Sequence, residues 1–158
     1  MQLPINYAEQ LSILAQLVVA MVLGGMIGLD REVAEKPAGL RTHILVAGAS
    51  ALLVSLGELV VKQLTGELGT VVIRGDPIRI IAAIITGVSF LGAGTIIRQR
   101  SNGGVKGLTT AASLLFVSVI GITVSLSEWF VAIAATILVL VILRLIPTLE
   151  RFFTREQN

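Results

Sequence analysis

Apolar residues run in long stretches along this chain, and most charged residues gather in the short segments between them. Five stretches predict membrane-spanning helices, because a helix needs about 20 apolar residues to cross the hydrocarbon core. They lie at about 11–29, 43–61, 80–97, 108–126 and 129–146. The pattern predicts an all-α, multi-pass membrane protein that forms a single transmembrane domain over residues 1–158, without a separate soluble domain.

Composition narrows the class of protein further. Hydrophobic residues make up 54% of the chain and charged residues only 14%, whereas a soluble domain carries about 25% charged residues. The absence of cysteine excludes disulfides and thiolate sites. No lysine or arginine precedes Arg31, so the first stretch lacks the charged n-region of a signal peptide.

The lysines and arginines predict an orientation in the membrane. Nine of the 12 fall in the first loop, the third loop and the segment from Arg144 onward, and the other three are Lys62, Arg74 and Arg79 of the second loop. Basic residues favour the cytoplasmic side, which predicts an outside N-terminus and an inside C-terminus. The charges form no basic patch interleaved with aromatic residues, so nucleic acid is not a predicted partner.

An offset of 68 residues aligns the region after the first span with the region after the third. The matched residues are Gly24 with Gly92, Gly39 with Gly107, Leu40 with Leu108, Thr42 with Thr110, and Ser50 with Ser118. One interpretation is a parallel repeat, in which helices one and two correspond to helices three and four and the fifth is an addition. The alternative is that two helix starts resemble each other without a repeat.

Small residues mark faces on which helices can approach closely. Helix one carries Gly24 and Gly28, and helix three carries Gly87, Gly92 and Gly94. The residues of helix one serve either packing within the chain or a homodimer. The glycines near the end of helix three could instead break that helix.

The first loop carries a dense group of charged residues. Its members are Asp30, Arg31, Glu32, Glu35, Lys36 and Arg41. Three interpretations remain open. Asp30, Glu32 and Glu35 could supply oxygen ligands to Mg²⁺, which is the one candidate cofactor. The charges could instead pair within a structural loop. Arg41 and the amides at the start of helix two could also bind an anion or a lipid headgroup.

Hydroxyl residues stand at the predicted starts of helices two and four. Thr42 suits capping of helix two. Thr109 and Thr110 at the start of helix four offer a second anion-binding pocket.

The second loop and the spans hold a few further polar candidates. Asp76 before Pro77 is a typical start of helix three, and Arg79 could pair with Asp76. Glu58 is the one carboxylate inside a predicted span, which makes it a functional candidate. Lys62 lies four residues on, in the spacing that favours an ion pair. Ser89 contributes mild polarity between helices.

Nothing in the sequence predicts an enzyme. His43 is the single histidine, so neither a two-histidine metal site nor a histidine relay can form. The chain also contains no phosphate-binding loop and no Gly-x-Ser-x-Gly motif.

Several short motifs together resemble the MgtC/SapB family of bacterial membrane proteins. They are Gly25–Gly28, Arg31–Glu32, Lys36–His43, Arg79–Ala82, Gly87–Ile96 and Gly107–Ala112. The resemblance implies a multi-spanning protein of the bacterial cytoplasmic (inner) membrane. Members of the family are associated with growth at limiting Mg²⁺ and, in pathogens, with survival inside host cells. The resemblance does not imply one biochemical activity.

Two departures from the family pattern bear on function. The family commonly has glycine where this chain has Ser89, which alters close packing there. Many members also continue into a soluble cytoplasmic domain, whereas only a short segment follows the last predicted span here. We therefore expect any regulation through that domain to be absent, unless another chain supplies it or the sequence is truncated.

Three functions remain as hypotheses. The first is a regulator of a membrane complex or of ion homeostasis, which contacts a membrane-protein partner or a second copy through its loops. The second is a small Mg²⁺ or H⁺ transporter with a path near Gly92–Gly94, Ser89 and Glu58. The third is a lipid- or anion-binding module using Arg41 and Arg98. A water-filled cavity reaching Glu58 favours transport, and a dry, closely packed bundle favours regulation.

Overall fold

The computed structural model describes residues 7–68, 77–98 and 105–155, and within these ranges the fold is all-α, as predicted. Two strands of two residues each lie in the connection between the third and the fourth helix. The elements in chain order are α1 (Tyr7–Val33), α2 (Leu40–Leu68), α3 (Pro77–Gly94), β1 (Ile97–Arg98), β2 (Val105–Lys106), α4 (Leu108–Ser125) and α5 (Trp129–Arg155). The five predicted helices therefore all form, in the predicted order.

Four of the helices are long and apolar enough to cross a membrane, and α3 is shorter. The apolar part of α3 is Ile78–Gly94, which at 1.5 Å per residue is slightly shorter than a hydrocarbon core of about 30 Å. The helix begins at Pro77, as predicted, while the predicted cap Asp76 lies outside the described residues. Its predicted end at residue 97 is wrong because Ile97 belongs to β1.

The fifth helix continues beyond its predicted end at residue 146. It runs to Arg155 and contains Pro147 in its interior. The predicted end marks the end of the apolar stretch, and the apolar part of the helix that could cross a membrane indeed ends at Pro147. The helix nevertheless continues into the polar segment that follows.

Helices α1 and α4, each of which precedes a short loop, end in the same way. Glu35 follows α1 with φ 53°, and Ser127 follows α4 with φ 62°. The amide of Lys36 donates to the Arg31 carbonyl at 3.0 Å, and the amide of Glu128 donates to the Thr123 carbonyl at 3.2 Å. These six-residue closures are Schellman motifs, which usually place glycine where Glu35 and Ser127 stand.

The connection from α3 to α4 is a small β-ribbon closed by a glycine. Ile97 pairs with Lys106, and Arg98 pairs with Val105, in antiparallel register. Gly107 then adopts φ +94°, and a β-carbon on it would lie 2.0 Å from the Thr95 carbonyl oxygen. Only glycine fits this turn. The α3 helix continues through Gly92 and ends at Gly94, so the predicted break inside helix three is wrong.

The core of the bundle lies where α1, α2 and α4 meet. A β-carbon on Gly24 would lie 2.6 Å from Ala47 Cβ, and one on Gly28 would lie 2.8 Å from His43 Cβ. A β-carbon on Gly121 of α4 would lie 2.3 Å from the Ala47 carbonyl oxygen. Gly24 and Gly28 are thus buried by packing within the chain, which favours the first interpretation, while a homodimer stays a prediction.

Residues related by the 68-residue offset make related contacts. Leu40 and Leu108 are the first residues of α2 and α4. A β-carbon on Gly24 would lie 2.8 Å from the His43 carbonyl oxygen, and one on Gly92 would lie 3.4 Å from that of Ala111. His43 and Ala111 are themselves 68 positions apart. These equivalences support the parallel repeat, which stays a prediction until the two helix pairs are superposed.

Candidate functional site

A buried ion-pair cluster joins α1 to α5 at the end of the bundle where α1 ends and α2 begins, called here the motif end. Asp30 is 9% exposed and Arg31 only 4%. The Arg31 Nε donates to Asp30 Oδ2 at 3.1 Å, and its Nη2 contacts the same oxygen. From α5, the Arg144 Nε donates to Asp30 Oδ1 at 2.8 Å. One carboxylate therefore holds two guanidinium groups and fixes α5 against α1.

The next acidic residue of the motif caps a helix. Glu32 Oε2 accepts a hydrogen bond of 2.7 Å from the Leu40 amide, the first residue of α2. A carboxylate at a helix N-terminus satisfies a free amide and interacts well with the helix dipole. Glu32 thus performs the capping predicted for Thr42, which is exposed in the first turn of the helix. Glu32 also bonds the Leu40 amide, one of the amides that would have to bind the ligand in the predicted anion pocket beside Arg41.

His43 links α2 to α4 below this cap. It is 0% exposed, and its Nδ1 lies 2.8 Å from the Gly39 carbonyl oxygen while its Nε2 lies 3.0 Å from Ser113 Oγ. A carbonyl can only accept, so Nδ1 carries a proton. Ser113 Oγ also donates to the Thr110 carbonyl at 2.8 Å. The single hydroxyl proton of Ser113 therefore has two acceptors when the imidazole is neutral.

The remaining motif residues are placed in different ways. Lys36, Arg41 and Thr109 are exposed, and Arg98 lies in β1. Thr110 is 1% exposed and contributes its carbonyl to the Ser113 hydrogen bond. The predicted pocket at the start of α4 therefore keeps an exposed Thr109 but loses the Thr110 side chain to the core.

The three candidate metal ligands are used separately. Asp30 binds two arginines, Glu32 caps α2, and Glu35 is exposed at the turn. Within the described residues, no group of three or more histidine, cysteine or acidic side chains is placed to hold a metal ion. The arrangement favours the charge-paired loop over the Mg²⁺ site.

A second polar network lies at the opposite end of the bundle, where α1 begins and α4 ends. Gln16 of α1 is 8% exposed. Its Nε2 donates to the Ser125 carbonyl at 3.2 Å and to Ser127 Oγ at 3.3 Å, and its Oε1 accepts from Ser55 at 3.1 Å. One amide side chain therefore joins α1, α2 and the end of α4.

Gln16 lies at the floor of a polar cavity of about 250 Å³ that Glu58 also lines. The expected pair of Glu58 with Lys62 is not formed. Instead, Lys62 Nζ lies 3.3 Å from Glu9 Oε1 of α1. Glu58 is exposed and has no ion pair within the described part of the chain.

The layer between the two polar ends is apolar and closely packed. Ala20, Ala47, Ala51 and Val117 are all 0% exposed. Between Gln16 and Asp30 in α1, and between His43 and Glu58 in α2, the sequence contains no charged residue. Ser118, which is also buried, bonds to the Leu115 carbonyl of its own helix. The cavity that Glu58 lines is thus separated from the motif end by a dry layer.

Sequence reasoning missed two residues that organise these networks. Gln16 interrupts an otherwise apolar stretch, and an amide inside a span is a signal that a partner must be near. Arg144 stands two residues before the predicted end of the last span, and a charge inside the predicted limits is a similar signal. The identity of their partners was not readable from spacing.

The helices and the polar ends together define a multi-pass membrane protein. The chain matches the model of the MgtC family over residues 17–152. It belongs to the MgtC family, and it is a multi-pass protein of the bacterial inner membrane.

Several curated proteins are similar to the chain. A protein of Haemophilus influenzae, described only as uncharacterized, is 37% identical over 150 residues, covering 95% of this chain and 62% of the relative. Protein MgtC of Salmonella typhimurium is 39% identical over 124 residues, covering 78% and 48%.

A third relative is the "Putative magnesium transporter YhiD" of Escherichia coli, 34% identical over 128 residues, covering 81% and 57%. The chain thus spans about half to three fifths of the length of these relatives. No solved structure matches it.

Proposed function

We propose that this chain is a non-catalytic membrane protein that takes part in magnesium homeostasis by regulating another membrane complex, rather than by conducting ions through its own bundle. The name of one relative, "Putative magnesium transporter YhiD", supports the link to magnesium. The closely packed layer around Ala20, Ala47 and Val117 supports regulation, because α1 and α2 offer an ion no charged partner as it crosses this layer.

The contact surface in this proposal is the exposed part of the motif end. Lys36, Arg41 and Thr42 project from the first loop and the first turn of α2, while the residues behind them are fixed by Asp30 and His43. A rigid support beneath exposed charged residues suits recognition of a partner, because the supporting side chains are already ordered and lose little conformational entropy on binding.

A flux measurement tests this function directly. Purified protein in liposomes, loaded with a Mg²⁺-sensitive or a pH-sensitive dye, is expected to give no saturable flux above protein-free liposomes. Parallel expression in cells grown at limiting Mg²⁺ is expected to change growth. Arg41→Ala should abolish that change, with Lys106→Ala, which removes one exposed positive charge from β2 outside the contact surface, as a matched control. Saturable flux from inserted protein would overturn the proposal.

Transport is the second candidate function, and the cavity beside Glu58 favours it. The cavity is polar, opens at one end and contains an exposed carboxylate together with the Gln16 network. Rearrangement of the dry layer would then open the path. In that case flux is expected to be saturable and to fall in Glu58→Gln but not in Glu35→Gln, which removes a carboxylate from the motif end.

The orientation forms part of the same proposal: the motif end faces the cytoplasm. The distribution of lysine and arginine supports it. Because the chain has no cysteine, the single variants Lys36→Cys and Ser127→Cys place one thiol at each end. In intact cells a membrane-impermeant maleimide is expected to label Ser127→Cys and not Lys36→Cys. The opposite labelling would reverse the orientation.

A further inference from the structure

A groove on the outside of the bundle runs along α3, on the side that faces α2. Its volume is about 670 Å³. The two helices touch at one level, where a β-carbon on Gly57 would lie 2.3 Å from Ile80 Cδ1. Farther along α3 they leave open space, because a β-carbon on Gly87 would meet no atom within 4 Å. The groove is therefore a gap between two helices that no described residue fills.

The lining of the groove is apolar over nearly its whole length. Its two polar lining residues are Ser50, which is only 2% exposed, and Arg79. The other residues that line it are alanine, glycine, valine, leucine and isoleucine. In a membrane such a surface faces hydrocarbon and accepts an apolar chain.

The positive charge of the groove stands in the first turn of α3, at the end of the bundle opposite the motif end. The Arg79 side chain is exposed, and it forms no hydrogen bond or ion pair with any residue in the described part of the chain. Within the same residues, no carboxylate lines the groove beside it. The guanidinium donors are therefore available to a phosphate, which they suit in geometry and charge.

The length of the groove matches the depth of one lipid leaflet. Arg79 and Leu91 line its two ends along α3, and a rise of 1.5 Å per residue places them about 18 Å apart. One leaflet contributes about 15 Å, which is half of a hydrocarbon core of about 30 Å. An acyl chain that extends from a phosphate at Arg79 thus follows the groove through its leaflet.

Other occupants use only part of this arrangement. A soluble anion would bind Arg79 and leave the apolar groove unused. An apolar helix of another chain would cover the groove but leave the guanidinium without a negative partner. A phospholipid supplies both the negative phosphate and the apolar chain.

We propose that the α2–α3 groove binds an anionic phospholipid, with its phosphate at Arg79 and one acyl chain along Ala83 and Gly87. Basic pockets between membrane helices bind anionic lipid headgroups. The site lies at the other end of the bundle from the pockets beside Arg41 and Arg98 considered from the sequence. It goes beyond the proposed regulatory function, which the flux and growth measurements test separately.

Lipid retention by the purified full chain tests the site. The protein is titrated in detergent with phosphatidylglycerol or with phosphatidylcholine, and bound lipid is counted by native mass spectrometry. We expect phosphatidylglycerol to be retained in preference to phosphatidylcholine. Arg79→Gln should lower that preference about fivefold, and Arg79→Lys should lower it less. Lys62→Gln, which removes a positive charge from the same end outside the groove, should leave it unchanged.

A second variant separates lipid binding from folding. Gly87→Trp fills the groove where a β-carbon has open space, and it leaves Arg79 in place. It is expected to abolish retention while the thermal unfolding midpoint without lipid stays near that of the parent chain. Ala82→Trp is the matched control, because it adds the same side chain at an exposed position of α3 that does not line the groove. It should retain the lipid.

Four outcomes would overturn the proposal. One is equal retention of the two lipids, and another is full retention in Gly87→Trp. The third is displacement of the lipid by inorganic phosphate, which would mean that the site takes a free anion. The fourth is a stable dimer that occupies the groove in place of lipid.

Discussion

Helices α1 and α3 both carry small residues at four-residue spacing, but they use them differently. In α1, a β-carbon on Gly24 would lie 2.6 Å from Ala47 Cβ, so this helix is closely packed on its neighbours. In α3, a β-carbon on Gly87 would meet no atom within 4 Å. A groove of about 670 Å³, lined by residues of α2 and α3, lies beside Gly87. The same pattern thus marks a packed interface in one helix and an open one in the other.

Polar side-chain networks fix both ends of α1 to neighbouring helices, but they do not fix α3 in this way. Gln16 ties the beginning of α1 to α2 and α4, and Asp30 ties its end to α5. The α3 hydroxyl of Thr86 bonds only within its own helix, to the Ala82 carbonyl, and Phe90 is 82% exposed. The comparison teaches that α1, α2 and α4 form the scaffold, while α3 contributes an accessible surface.

We expect the largest loss of stability from substitution of the buried carboxylate of Asp30, which holds α1. Asp30→Asn should lower the free energy of unfolding by about 3 kcal/mol, because Arg31 is then left buried without an opposite charge. Unfolding in mixed micelles, followed by Trp129 fluorescence, measures the change. Glu35→Gln, at an exposed carboxylate of the same loop, should stay within about 0.5 kcal/mol of the parent chain. Equal stability of the two variants would mean that the cluster does not hold α1.

A matched pair of alanine substitutions probes the contrast between packed and open glycines. In Gly121→Ala the new β-carbon would lie 2.3 Å from the Ala47 carbonyl oxygen. We expect a loss of about 2 kcal/mol in the free energy of unfolding, because backbone must shift. Gly87→Ala has open space and should gain up to about 1 kcal/mol from helix propensity. Similar effects in the two variants would remove the distinction.

Much of the fold was predictable because membrane helices depend on the length of apolar stretches. The start of α4 at Leu108 was also predicted correctly, whereas α2 begins at Leu40, three residues before its predicted start. The side-chain partners were not predictable, since they join residues far apart in sequence. Asp30 and Arg144 are 114 positions apart. Lys62 pairs with Glu9 rather than with its local neighbour Glu58, which shows how packing overrides helical spacing.

The Gln16 network offers a test at the opposite end of α1. Gln16→Leu introduces an apolar side chain of similar size. The Ser125 carbonyl and the Ser55 hydroxyl then lack the amide that they bond in the parent chain. We expect a loss of about 1–2 kcal/mol in the free energy of unfolding. Gln10→Leu, at an exposed position on the same helix, should have little effect. Equal stability of Gln16→Leu and Gln10→Leu would show that water replaces the amide without loss.

The smallest expected effect separates the two helix starts that the 68-residue offset relates. The α2 start has the Glu32 carboxylate on the Leu40 amide at 2.7 Å, whereas Gly107 before α4 provides no side-chain cap. Glu32→Ala should lower stability by about 1 kcal/mol. Hydrogen exchange at the Leu40 amide should quicken about fivefold, while exchange at Leu108 stays unchanged.

Lys36→Ala is the control for this measurement, because it shortens an exposed side chain of the same loop without removing the cap. Faster exchange at both helix starts in Glu32→Ala would mean that the two ends unfold together, through the hydrogen bond that joins His43 of α2 to Ser113 of α4. Faster exchange at Leu40 alone would establish that the two starts, although related in sequence, are stabilised independently. The carboxylate then makes the α2 start the better ordered of the two, on the side of the bundle where α1 is already fixed by Asp30.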